Sequence, residues 1–139
     1  MTGRTDPWRR GRPGDHDAQA GAAVVDFVLV GGLLSVIFVG LLQFALVLHV
    51  RNVLIDCATE GARYGALADR DAAAGAARAR ELITADLSAG YATDVGAVVE
   101  SQDGVTVVEV RVTAPLPVVG LLGIGRVVTV TGHSVREGG

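Results

Sequence analysis

The sequence predicts an α+β protein. A long apolar N-terminal helix continues into a small domain that holds a second helix and a three-stranded antiparallel sheet. Three observations predict this fold. Residues 27–50 form a run of 24 positions without Asp, Glu, Arg or Lys. An alanine-rich stretch over 71–89 is typical of a helix. Beyond residue 95, apolar and polar side chains alternate as they do in strands.

The composition excludes several classes of protein. The 139 residues leave room for one small domain, and 12 arginines against 15 acids give a net charge of −3. A nucleic-acid-binding protein carries a basic surplus, so we expect no nucleic-acid partner. The single cysteine excludes an intramolecular disulfide and a multi-cysteine metal site.

The sequence also lacks the usual patterns of catalysis. The three histidines have no second ligand at metal-binding spacing, and no nucleophile–base pairing or phosphate-binding glycine loop is visible. We therefore expect no enzymatic activity, no metal and no cofactor. Cys57 is interpreted as a small apolar residue of a helix.

The first element is a polar leader, residues 1–21. Residues 1–19 contain four arginines, three aspartates and two prolines. We expect this stretch to be unfolded on its own.

A transmembrane helix over residues 22–50 follows the leader. The 24 uncharged residues would span about 36 Å as a helix, against a hydrocarbon core of about 30 Å. The arginines of the leader place the N-terminus in the cytoplasm and the C-terminal part outside. Asp26 is the lone acid near the start of the run. Two interpretations of it stay open, a solvated position at the membrane interface and a functional acid with a cationic partner.

Residues 51–68 are predicted to continue the helix beyond the membrane. Gly61 and Gly65 lie four residues apart and would allow another backbone to approach closely. Glu60 and Arg63, on the polar face, have the spacing of a surface ion pair. The predicted apolar stripe consists of Val50, Val53, Leu54, Cys57, Gly61, Tyr64 and Ala68.

Residues 69–139 are predicted to form the small α+β outer domain. A helix over 71–89 is capped near Asp71 and stopped by Gly90. The strands are expected over 95–100, 105–114 and 126–135, with a turn at Asp103-Gly104 between the first two. The apolar segment 115–125 is either a loop that closes the core or an exposed contact patch. The predicted apolar side of the helix consists of Ala77, Leu82, Ile83 and Leu87.

The start of the span resembles the cleavage motif of prepilins. Gly21 is followed by four small apolar residues, Asp26 and Phe27. The resemblance implies that a prepilin peptidase cuts after Gly21, so that Ala22 carries the new α-amino group and Asp26 becomes the fifth residue. It also implies that the amine of one subunit pairs with the acid of its neighbour. Most such families have Glu at this position, one methylene longer than Asp.

The segment after the span makes the resemblance more specific. It resembles the TadE-like family, the minor pilins or pseudopilins of tight-adherence (Flp-type) pilus systems. It implies a pilin-like outer domain that contributes to pilus assembly, with the membrane, other pilus subunits, the assembly platform and the prepilin peptidase as partners. It implies a location in the cytoplasmic membrane or in a cell-surface pilus. The matched residues are Ala58, Glu60, Gly61, Ala62, Arg63 and Tyr64.

A second function stays open at this point. The chain could remain uncleaved, as a single-pass accessory protein of the secretion machine whose outer domain binds a ligand.

Overall fold

A computed structural model describes residues 14–117 and 127–136, with side chains from residue 19 onward. The described residues form two long helices, one short helix and three strands. The helices are α1 (Gly14–Ala66), α2 (Ala72–Asp86) and a 3₁₀ helix (Ala89–Tyr91), and the strands are β1 (Asp94–Gln102), β2 (Val105–Pro115) and β3 (Val127–Val135). This is the predicted α+β fold. The leader residues 1–13, most of the predicted 115–125 segment and Arg126 lie outside the described residues.

The chain divides into two units, Met1–Gly40 and Leu41–Gly139. In the first unit the described residues are helical, and their large apolar side chains are exposed, as for Phe27 at 78%. In the second unit the rest of α1 joins α2 and the sheet around one core.

Helix α1 starts earlier and ends sooner than the sequence indicates. The expectation of an unfolded stretch over residues 1–19 is wrong for residues 14–19, which are helical. The reason is that no proline occurs between Pro13 and Pro115, so no proline interrupts a helix that begins at Gly14. The helix ends at Ala66, and Ala68 is exposed instead of lying on the apolar stripe.

Helix α2 is shorter than the predicted 71–89. As expected, Asp71 caps its start, and the Asp71 carboxylate accepts a hydrogen bond of 2.7 Å from the backbone N–H of Ala74. The helix ends at Asp86, so Gly90 is not its stop and lies in the 3₁₀ helix.

The buried side of α2 also differs from the prediction. Ala77 is exposed, whereas Gly75, Ala76, Ala79 and Ile83 are buried. This happens because α2 meets α1 through its smallest residues, which turns Gly75 and Ala79 inward and Ala77 outward. Leu82 and Leu87 pack at the edge of the core as expected.

The sheet has the order β1-β2-β3, and both pairs are antiparallel. The predicted alternation of β2 side chains between the two faces of the sheet is confirmed. Its inward residues are buried, and Arg111 on the other face is exposed. The inward residues are Val108, Val110, Val112 and Ala114.

The core is formed by the outer part of α1, residues 50–66, by α2 and by the inner face of the sheet. Leu54 of α1, Ile83 of α2 and Val110 of β2 are each fully buried. Most other core residues on the helices are alanines, so the elements pack at short separations.

The conformation of the turn between β1 and β2 can be tested by substitution. Asp103 and Gly104 have φ angles of 53° and 82°, as a two-residue turn of the I′ type requires. Gly104→Ala should lower the free energy of unfolding by about 1–2 kcal/mol, because a Cβ is disfavoured in this conformation. Hydrogen exchange of the β2 amides, in detergent micelles, measures the change. Asp103→Gly is the control and should have a smaller effect, whereas equal losses would contradict the turn.

Candidate functional site

Helix α1 contains a segment long and apolar enough to cross a membrane. This segment lies within the 48 residues Gln19–Ala66. The most apolar part of this segment is not buried within the chain. A helix with apolar side chains exposed on all sides needs an apolar environment, so the segment fits a membrane location.

The predicted processing and assembly residues all lie on this exposed part of α1. A Cβ at Gly21 would meet nothing within 4 Å. Ala22 and Asp26 are exposed as well and lie four residues apart, which places them on neighbouring turns of one helix face. Asp26 has no ion-pair partner among the residues that the structure describes.

The small residues of the 58–64 motif are packing positions. A Cβ added at Gly61 would lie 2.7 Å from the Gly75 carbonyl oxygen and 2.7 Å from the Ala79 Cβ. A Cβ at Gly65 would lie 2.9 Å from the Asp71 carbonyl oxygen. The expected close approach at Gly61 and Gly65 is therefore confirmed, and α2 is the helix that makes it.

The sheet approaches α1 equally closely on another side. A Cβ at Gly132 of β3 would overlap the Ala58 carbonyl carbon and the Thr59 nitrogen. Ala58 and Ala62 are fully buried. Gly132 and Gly75 are not among the residues predicted from the sequence, although a glycine inside a strand or a helix is a signal of close backbone approach.

The charged residues of the motif lie on the surface. Glu60 and Arg63 are both exposed, and the predicted ion pair between them does not form in the structure. Tyr64 is half-buried, and the Arg70 guanidinium lies 4.9 Å from the centre of its ring. Glu60, Tyr64 and Arg70 line an open groove of about 370 Å³ between the two helices.

Glu60 and Arg63 fall in the part of the chain that matches a known family. The model of the TadE-like protein family matches residues 21–63. The chain carries a TadE-like segment. This finding confirms the resemblance predicted from the sequence, and the TadE-like family suggests involvement in tight-adherence (Flp-type) pilus systems. No curated protein and no solved structure matches the chain.

The TadE-like segment contains the cysteine of the chain, and its surroundings keep it unreactive. Cys57 is buried, and its Sγ lies 3.9 Å from an Asp86 carboxylate oxygen. Burial, together with the negative charges of Asp86 and Asp56, raises the pKa of the Cys57 thiol to about 11. The thiol is therefore protonated at neutral pH and is a poor nucleophile.

The sheet carries an ionic cluster on the face that points away from the core. Glu109 is only 8% exposed. Arg111 donates to one of its carboxylate oxygens at 2.8 Å, and the other lies 2.9 Å from His133 Nε2. The hydrogen bond from Arg111, opposed in part by desolvation, and that from His133 hold the pKa of Glu109 below its ordinary value of 4.5. The pairing with His133 depends on the β2–β3 register, which the sequence analysis did not predict.

The contact at Gly132 can be tested against a matched glycine. Gly132→Ala should lower the free energy of unfolding by about 1–3 kcal/mol, because the added Cβ overlaps the α1 backbone. Gly96→Ala on β1 is the control, since a Cβ there meets nothing within 4 Å. Denaturant midpoints of the full chain in micelles measure both. A loss at Gly96 as large as at Gly132 would contradict the close packing of β3 on α1.

The ion pairs of Glu109 with Arg111 and His133 predict that the free energy of unfolding depends on pH. Because the pKa of Glu109 is lowered in the folded state, its carboxylate stabilises the fold above pH 4.5, and this stabilisation is lost as the pH falls through the lowered pKa. The difference in unfolding free energy between the wild type and Glu109→Gln should therefore shrink in acid. Denaturant titrations between neutral and acid pH measure it, with Glu100→Gln, an exposed acid on the same face, as the control. A difference that stays constant with pH would exclude this contribution of Glu109.

Proposed function

We propose that the chain is a minor pilin or pseudopilin that contributes to assembly of a tight-adherence (Flp-type) pilus. The observation that carries this proposal is the TadE-like match over residues 21–63. The match covers the glycine of the cleavage motif, the lone acid, the exposed apolar helix and most of the 58–64 motif. A structural subunit, without enzymatic activity, metal or cofactor, is the role that fits these features.

In this role α1 stores the subunit in the cytoplasmic membrane. The exposed apolar side chains of the transmembrane helix, residues 22–50, lie in the bilayer, with residues 1–21 on the cytoplasmic side and residues 69–139 outside. The same apolar surface then packs against helices of neighbouring subunits, because transfer from lipid to another apolar helix leaves these side chains in an apolar environment. The other pilus subunits and the assembly platform are the proposed partners.

Processing creates the polar contact that this packing needs. A prepilin peptidase hydrolyses the Gly21–Ala22 bond, and the new amine at Ala22 has an ordinary pKa of about 7.7–8.0. At neutral pH the amine is largely protonated. It pairs with Asp26 of a neighbouring subunit, so that two charges that are costly in an apolar core neutralise each other.

One observation favours a second candidate function. Gly21 lies inside α1, which begins at Gly14, so the bond to be cut is helical. A chain that resists cleavage for this reason would be an uncleaved single-pass accessory protein of the pilus machine, with an extracytoplasmic binding domain.

The pairing of Asp26 supplies the test of the proposed function. Asp26→Ala should insert at least as well as the wild type, because it removes an acid that costs about 2.5–3.5 kcal/mol in a membrane. Assembly should fail, since loss of one partner of a buried ion pair costs about 3–5 kcal/mol. Immunoblots of the membrane fraction and of pili sheared from cells measure the two steps.

Asp26→Glu is the matched control, since it keeps the charge and restores the length most common in prepilins. It should assemble as the wild type does. Wild-type levels of sheared pili in Asp26→Ala would contradict the proposed pairing.

A further inference from the structure

Three charged residues form one exposed stripe on the outer part of α1. Asp56, Glu60 and Arg63 follow each other at steps of four and three residues, so they share one face of the helix. The opposite face of α1 is buried against the domain, at Leu54 and Ala58 among other positions. We call Asp56, Glu60 and Arg63 the charged stripe.

The charged stripe contributes little to the fold that carries it. Its three side chains make no ion pair and no hydrogen bond with any other residue in the described part of the chain. The small residues of the 58–64 motif are explained by the contacts with α2 and β3. Glu60 and Arg63 belong to the same motif, but packing against α2 and β3 does not explain their presence, because both are exposed.

We infer that the charged stripe is the contact surface for a second copy of this chain, packed parallel to the first and shifted along the helix axis. The inference rests on the proposed function for the parallel orientation, because copies anchored in one membrane with the same topology point the same way.

The order of the charges sets the shift. Along α1 the charged stripe reads negative, negative, positive, at Asp56, Glu60 and Arg63. In a parallel pair without a shift, each charge faces its own equivalent and all three contacts are repulsive. A shift of three to seven residues, about 4.5–10.5 Å along a helix, brings Arg63 of one copy beside Glu60 and Asp56 of the other. Only the shifted pair is complementary in charge.

The shifted contact is not isologous, because Arg63 of one copy meets Asp56 and Glu60 of the other.

Reversal of charges tests the contact. Two copies with different affinity tags are co-expressed, extracted from membranes in detergent and purified through one tag. The fraction of the second copy that co-purifies is measured by immunoblot. Arg63→Glu in both copies should lower this fraction about tenfold, the effect of roughly 1.4 kcal/mol. Asp56→Arg with Glu60→Arg in both copies should lower it by a similar factor.

The mixed pair decides whether the contact is direct. When one copy carries Arg63→Glu and the other carries Asp56→Arg with Glu60→Arg, co-purification should return to the wild-type level. That return also shows that the variants fold. Glu100→Arg, an exposed acid on the sheet, is the control and should leave the fraction unchanged.

Two outcomes would overturn the inference. Unchanged co-purification in the charge-reversed variants would exclude the charged stripe as a contact. Loss without restoration in the mixed pair would assign the stripe to a different partner chain. Because co-purification from membranes requires neither cleavage after Gly21 nor an assembled pilus, its failure is distinguishable from a failure of the proposed function.

Discussion

The second unit depends on the close approach of two elements to one helix. The α1 backbone meets Gly75 of α2 at Gly61 and meets Gly132 of β3 at Ala58. There is no room for a Cβ at Gly75 or at Gly132. Side chains larger than hydrogen at these glycines would push the elements apart and open the core. A small domain has little apolar area to bury, so short separations between its elements are a large part of its stability.

The parts of the TadE-like segment have different physical roles, because only its C-terminal part packs closely against α2 and β3. The small residues on one face of the outer part of α1 hold the domain together, and the charged stripe on the opposite face stays exposed. The apolar part that precedes them has no core to cover it within the described residues. In the proposed function that part is stored in lipid, and the arginine-rich residues 1–21 serve as an orientation signal that the mature subunit lacks. The net charge of −3 then describes a precursor.

The sequence predicts features that depend on near neighbours and misses those that depend on distant ones. The alternation over Val108–Ala114 and the Asp103-Gly104 turn are local patterns, and the structure contains both. The buried side of α2 was mispredicted at Ala77, because the choice between its alanine-rich faces depends on where α1 lies. The Glu109–His133 pair follows from the register between two strands, and the partner of Gly132 lies on α1, far away in sequence. Asp26 is exposed in the structure, and the sequence alone does not decide between a solvated acid and an acid with a cationic partner.

In the proposed function, the span belongs to a processed subunit whose first residue is Ala22. The most direct test is the intact mass of the protein extracted from membranes, with the N-terminal peptide sequenced by tandem mass spectrometry. We expect a chain that begins at Ala22 and lacks residues 1–21. A chain that retains Met1 or any other part of residues 1–21, in cells that assemble pili, would contradict this expectation.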